Sequence, residues 1–256
     1  MLKDPVEVSS EIKDFSEFPP MEDMYLHLKD SIGSQPELGV YCNRYVEKDP
    51  TKKLAIILTG FTCAGKDTVM DELESLGLVY HVVTATSRPR RVEEGEPEDK
   101  YHWIKVRERR EGESKEEYEE SIKKEHDLVE CDGHYKYVYG LPRKSLLVEG
   151  KGIPVIRPDI NGTITLHKEL PKYGFQPISV AVLPDSWEQI YGTLLEEREE
   201  SMEAKNSRLI EDINNITKYR SVVNYFLHNS RYKCGDMDGL ERSVNGVRYI
   251  LDIYEK

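Results

Sequence analysis

Residues 60–69 read GFTCAGKDTV, and their types and spacing are those of a turn that holds phosphate. Gly60, Gly65 and Lys66 keep the interval of the pattern Gly-x-x-x-x-Gly-Lys-Ser/Thr, in which glycines permit a tight backbone path and lysine sets a cation against the β and γ phosphates. Thr62, Cys63 and Ala64 add backbone N–H groups between them, and Thr68 adds a hydroxyl for an inner phosphate. Asp67 departs from the pattern, because it stands where the hydroxyl residue belongs and Thr68 comes one step late. Three readings of Asp67 stay open. It can favour the positive end of a helix, where an acid is worth about 0.3–1 kcal/mol. It can ligate magnesium, directly or through water. It can also weaken nucleotide binding by adding an anion beside the phosphates. The plain alternative for the whole stretch is a glycine turn with a lysine that happens to follow.

A second cluster, TATSRPRR at residues 84–91, places Arg88, Arg90 and Arg91 in a chain of net charge −12. Arginines clamp phosphate oxygens with paired hydrogen bonds, so the cluster suits a second phosphate. The competing reading is a solvated basic loop that balances the acidic run EEGEPED just after it.

Positioning these residues requires strands that end at them. LAIILTG is a short apolar run ending in glycine, which predicts a strand buried on both faces, and KDTVMDELESLG predicts a helix with Val69, Leu73 and Leu76 on its apolar side. Further strands are expected at YHVVTATS, GIPVIRPD and FQPISVAVLP, alternating with helices at SWEQIYGTLLEERE, SRLIEDINNITKYRSVVNYF and DGLERSVNGVRYILDIY. That alternation predicts an α/β fold with a mostly parallel sheet. Between Tyr101 and Gly140, KYHWIKV and HYKYVYG predict strands of a small antiparallel insert around the acidic helix KEEYEESIKKEHD.

Residues 1–52 carry Pro5, Pro19, Pro20, Pro36 and Pro50 with one short helix-like stretch, MEDMYLHLKDSI, and are expected to pack on the surface or stay partly disordered. With 38% hydrophobic and 33% charged residues the chain reads as soluble, and its acidity argues against a general nucleic-acid binder. The 4 cysteines, Cys42, Cys63, Cys131 and Cys234, are widely spaced, which suits reduced thiols in the cytoplasm. The start has no apolar leader, and no run approaches a membrane span.

From Lys53 onward the chain resembles the guanylate kinase family in GFTCAGKDT, in TATSRPRRVEEGEPEDKYHWI, in LVECDGHYKYVYG and in the order of its elements. The resemblance implies transfer of the γ-phosphoryl of ATP, with Mg2+, to the nucleoside monophosphate GMP or dGMP. It also implies a P-loop three-layer fold with a mixed α/β acceptor-binding insert near 88–150 and a helical lid near 190–212, leaving 1–52 as an N-terminal extension. By position, Arg88 and Arg91 match arginines that hold the acceptor phosphate, while Tyr101 and Tyr139 match tyrosines that hydrogen-bond to it. Thr84 stands where the family has a serine near that phosphate. Glu130 matches the glutamate that reads guanine, with Asp159 helping, since guanine presents N–H donors that carboxylates accept. Lys66, Arg88 and Arg91, joined by lid residues Arg198 and Arg208, make up the implied catalytic set, and Asn229 stands near adenine.

Each of these residues also has an ordinary reading: strand aromatics for Tyr101 and Tyr139, an exposed carboxylate for Glu130, a helix cap for Asp159, a turn asparagine for Asn229, and a solvated helix face for the two lid arginines. The sequence departs from the family where Leu141 replaces a hydroxyl residue, where Arg157 replaces an aspartate, and in a lid lacking the threonine-glutamate signature. Ribose 1,5-bisphosphate phosphokinases resemble the chain at Asp67 and near Leu141. A guanylate kinase-like module that binds proteins without catalysis is a further alternative, against which Lys66, Arg88 and Arg91 are all present.

Overall fold

The computed structural model describes residues 12, 14–134, 137–148, 152–197, 200–230 and 238–255. Its strands are β1 (Val40–Cys42), β2 (Lys53–Gly60), β3 (Val79–His81), β4 (Ala85–Thr86), β5 (His102–Trp103), β6 (Leu128–His134), β7 (Tyr137–Pro142), β8 (Ile153–Ile156), β9 (Phe175–Leu183) and β10 (Tyr225–His228). Its helices are α1 (Lys66–Ser75), α2 (Lys115–Glu125), α3 (Arg143–Leu146), α4 (Ile160–Glu169), α5 (Trp187–Glu197), α6 (Met202–Asn214), α7 (Ile216–Val222) and α8 (Gly239–Glu255). The architecture is the expected α/β class, and no helix among the described residues is long and apolar enough to cross a membrane.

The chain divides into two units, of which the first comprises Met1–Glu47, Leu58–Leu73 and Ser179–Lys256. Its strands run in the order β1-β10-β9-β2. β9 lies parallel to β10, with Val180 beside Tyr225, and β1 closes the edge antiparallel, with Val40 beside Leu227. Residues 179–183 of β9 are fully buried, as a strand covered on both faces demands. α8 buries Val244, Val247, Ile250, Leu251 and Tyr254 at helical spacing. The segment before β1 contributes to this core: Met21, Met24 and Tyr25 are buried, and the Tyr25 ring stacks on His228 at 5.2 Å.

The second unit comprises Lys48–Ile57 and Glu74–Ile178. Here the parallel strands run β2-β8-β3, with Ile57 beside Ile156 and Tyr80 beside Pro154. A separate four-stranded sheet has the order β5-β4-β7-β6; its β4–β5 pair is parallel, so the insert is mixed rather than antiparallel throughout. α2 starts at a capping box made by Ser114 and Glu117 and packs Ile122 against Ala85, Leu128 and Val138.

Several elements differ from expectation for local reasons. YHVVTATS breaks between His81 and Ala85, because β3 pairs with β8 while β4 pairs with β5 and β7. The long helix expected to reach Phe226 is broken at Asn215 into α6 and α7, the latter ending at Val222, and Tyr225–His228 is a strand. Leu76 lies past the end of α1 and is half exposed, so only Val69 and Leu73 of the expected stripe are buried.

Candidate functional site

In the first unit, the turn between β2 and α1 is built around two glycines that cannot be replaced without strain. Gly60 has φ +130° and Gly65 φ +82°. A Cβ at Gly60 would lie 2.2 Å from the Val182 carbonyl oxygen, and one at Gly65 would lie 2.4 Å from Asn229 Nδ2. Both conformation and space therefore require glycine. Lys66 folds back over the turn, its Nζ donating to the carbonyls of Gly60 at 2.9 Å and Phe61 at 2.6 Å.

Three side chains grip the turn from behind. Phe61 is fully buried, stacked on Trp187 at 5.0 Å and edge-on to Tyr219 at 5.1 Å. The Thr62 amide donates to Asp212 Oδ2 at 2.7 Å. Asn229, which the resemblance sets near adenine, donates to the Ala64 carbonyl at 2.8 Å, and its Oδ1 accepts from Ser243 at 2.8 Å. Burial pushes the Asp212 carboxyl up to about 6, against the lowering effect of the Thr62 bond and the Lys66 charge. Asp67 and Thr68 are exposed in the first turn of α1, where the helix dipole favours an acid. This arrangement leaves Asp67 accessible to a cation accompanying phosphate, so a metal ligand and a helix-end charge are both compatible with it.

In the second unit, strand register gathers the acceptor candidates on one face. Trp103, Thr86, Tyr139 and Asp132 lie opposite one another across successive strands, and Leu141 and Glu130 form another pair on that side. Thr84 and Tyr101 immediately precede β4 and β5, and the His102 amide donates to the Thr84 carbonyl at 2.8 Å. The opposite face carries Ala85, Leu128 and Val138 into the core under α2.

Arg88 sits 5.7 Å from the Tyr101 ring and 5.6 Å from that of Trp103. Its guanidinium is gripped by Glu96, with Nη2 donating to Oε1 at 2.6 Å and Nη1 to Oε2 at 3.1 Å. Glu96 also accepts from the Arg91 amide at 2.9 Å, and its carbonyl accepts from Arg90 Nε at 2.8 Å. The Arg88 hydrogen bonds hold the Glu96 carboxyl down to about 2. Part of the acidic run is thus a fixed partner of the basic cluster, while the Arg91 side chain stays exposed.

Glu130 is buried, and burial pushes its carboxyl up to about 8, with the Asp159 charge adding to the effect. Asp159 is the N-cap of α4 and accepts from the Gly162 amide at 2.7 Å, so its ordinary reading as a cap is realised. A Cβ at Gly162 would stand 3.4 Å from Glu130 Oε1. Leu141 is fully buried among Tyr80, Val82 and Ile156. Arg157 donates to His81 Nε2, from Nε at 3.2 Å and from Nη2 at 3.1 Å.

Of the two lid arginines, Arg198 lies outside the described residues, and Arg208 on α6 donates to Glu200 at 2.7 and 2.8 Å. Sequence reasoning missed two residues here. Asp212 follows Arg208 by one helical turn in RLIEDIN, which is a signal for a shared helix face but not for a buried one. Glu96 was legible only as one charge among several.

No protein-family model matches the chain. It is 31% identical over 198 residues to the guanylate kinase of Clostridium tetani, covering 75% of this chain and 88% of that one. It is 26% identical over 186 residues to the guanylate kinase of Clostridium acetobutylicum, covering 70% and 81% respectively. The chloroplastic/mitochondrial guanylate kinase 2 of Oryza sativa is 25% identical over 219 residues, covering 84% and 70%. In fold it is similar to the crystal structure of guanylate kinase from Anaplasma phagocytophilum, with a TM-score of 0.50 and 18% identity over 79% of this chain and 86% of that one. With the phosphate turn and the arginine cluster in place and a relative this similar over most of its length, the chain belongs to the guanylate kinase family and is a phosphotransferase.

Proposed function

We propose that the protein transfers the γ-phosphoryl group of ATP to a nucleoside monophosphate, GMP or dGMP. The observation that carries this reading is Arg88, held beside Tyr101 and Trp103 by a buried Glu96, on a subdomain that also buries the carboxyl of Glu130. Glu96 takes one N–H from each terminal nitrogen of Arg88 and the Pro89 carbonyl a second from Nη1, which leaves Nε–H and one Nη2–H for an acceptor phosphate oxygen. Arg91, Tyr101 and Tyr139 complete the acceptor's phosphate site in this proposal, with Thr84 close by, and Glu130 with Asp159 favours the N–H edge of guanine.

On the donor side, Lys66 and the amides of the turn other than that of Thr62, which Asp212 takes, hold the β and γ phosphates, and Asn229 keeps the turn in shape. Asp67, in the first turn of α1, would help hold Mg2+ accompanying those phosphates, and the metal would supply charge neutralisation there. Arg208 joins the site by leaving Glu200 on lid closure, and Arg198 has the same assignment. No covalent intermediate is required, because positioning and charge compensation supply most of the catalysis in phosphoryl transfer.

One observation favours a second reading, a small phosphorylated sugar as acceptor: Leu141 is fully buried and offers no hydrogen bond to a base. ADP release measured with ATP, Mg2+ and a panel of GMP, dGMP, AMP, CMP, UMP and ribose 1,5-bisphosphate decides between them. Turnover with GMP or dGMP alone supports the proposal; turnover with the sugar alone overturns it.

A further inference from the structure

Residues 12 and 14–25 have no part in the proposed chemistry, yet a series of contacts joins them to the phosphate turn. All of these contacts lie within the first unit. The Trp187 indole Nε1 donates to the Pro19 carbonyl at 2.7 Å, and its ring is buried. Phe18 packs edge-on to the same ring at 6.4 Å, and Phe15 edge-on to Tyr191 one helical turn further along α5 at 5.7 Å. Tyr191 is fixed at both ends of its hydroxyl, accepting from the Ile12 amide at 3.0 Å and donating to Asn206 of α6 at 2.8 Å. The Trp187 ring also stacks on Phe61 with an interplanar angle of 28°.

Phe61 is the first residue after Gly60, and the next residue presents its amide to Asp212. Its side chain has little freedom, being fully buried between Trp187 and Tyr219. A rotation of the indole therefore moves the backbone of the turn rather than the phenyl ring alone. The indole orientation is fixed by its only polar atom, and that atom is bonded to the extension. Pro19 is followed by Pro20, whose ring restricts the local backbone, so the accepting carbonyl is a stiff anchor.

We infer that Trp187 is a positioning residue through which the segment at residues 15–19 sets the geometry of the phosphate turn, making the N-terminal extension part of the donor site. The inference rests on the proposal that this turn binds the donor nucleotide. An ordinary core stack would lose stability when cut and leave nucleotide affinity alone. A positioning stack would lose affinity for one ligand only.

The test uses the full chain carrying Phe18→Ala or Trp187→Phe. The first removes the extension's ring from the indole; the second keeps a ring on Phe61 but removes the bond to Pro19, and is the variant that should fold if the first does not. Calorimetry with Mg-ADP and, separately, with GMP reads the two sites, and thermal melting reads stability. A misplacement of the turn by a fraction of an ångström to 1 Å predicts Mg-ADP binding about tenfold weaker, with GMP binding within about twofold of the parent. Mg-ADP binding unchanged in a folded Trp187→Phe protein, or both ligands weakened alike, overturns the inference. Failure of the parent protein to bind Mg-ADP would instead overturn the donor-site reading itself.

Discussion

Arg88 and Glu96 carry opposite charges in a mostly covered setting, and their pairing decides how the acceptor site responds to mutation. Replacing Arg88 by alanine removes the proposed phosphate ligand and strands Glu96, whose carboxyl is held down to about 2 by that arginine. Because the pair is mostly covered, stranding Glu96 costs about 1–3 kcal/mol of stability. The expected kinetic outcome is an acceptor KM raised by tenfold or more, as loss of one charge-assisted pair implies, with ATP KM little changed. An unchanged acceptor KM would remove Arg88 from the site.

Glu130 gives a pH prediction with a definite sign. Its carboxyl is pushed up to about 8, so its contribution to stability is present below the usual carboxylate range and lost as pH rises through about 8. Guanine offers N–H donors that need the ionised form, so the GMP KM should fall between pH 6.5 and pH 8.5 while Glu130→Gln shows no such fall. The same sign applies to Asp212, whose contribution is lost as pH rises through about 6. Asp212→Asn keeps an oxygen for the Thr62 amide, so melting temperatures recorded from pH 4.5 to pH 7 should vary less with pH than in the parent. These residues were unequally legible. Glu130 and Arg88 stood out through resemblance, whereas Glu96 and Asp212 owe their importance to burial, which a single charged letter in a charged segment does not show.

At the scale of elements, the strand-turn-helix proposed to hold phosphate was readable because glycine spacing, an apolar run and helical periodicity all coincide over residues 54–73. Its internal demands were not. Gly65→Ala would force a left-handed φ on alanine, costing about 1–2 kcal/mol, and would press on the Asn229 side chain. Donor affinity should drop, and adding Asn229→Ala should restore part of the fold stability without restoring affinity, since the brace on Ala64 is lost. Gly60→Ala should be worse, because the obstructing atoms belong to the Val182 backbone and cannot turn aside. A melting series across the three variants checks the order.

β10 shows why other elements escaped the sequence. Tyr225–His228 follows the helical run after two residues with no glycine or proline between them, so helical periodicity carries through it. Its identity comes from pairing with β9 and β1, which are remote in sequence. The break between β3 and β4 is also set by partners, since both halves have the composition of one strand.

For the whole molecule, a net charge of −12 means that anionic ligands must be met locally, and the proposed function assigns that work to Lys66 in one unit and Arg88 with its neighbours in the other. Proline content made residues 1–52 look peripheral, but buried Met21, Met24, Tyr25 and Val40 give part of that segment to the core. Removing residues 1–42 should therefore leave the protein insoluble or molten, checked by near-ultraviolet dichroism.

The central claim is transfer of one phosphoryl group to a guanine nucleotide. The most direct measurement follows label from γ-phosphate-labelled ATP in the presence of Mg2+ and GMP, with Lys66→Ala as control. The account predicts labelled GDP formed by the parent protein and a loss of at least a hundredfold in the control, as removal of a principal charge-stabilising group implies. Label released only as free phosphate, or labelled GDP formed equally well without Lys66, would contradict it.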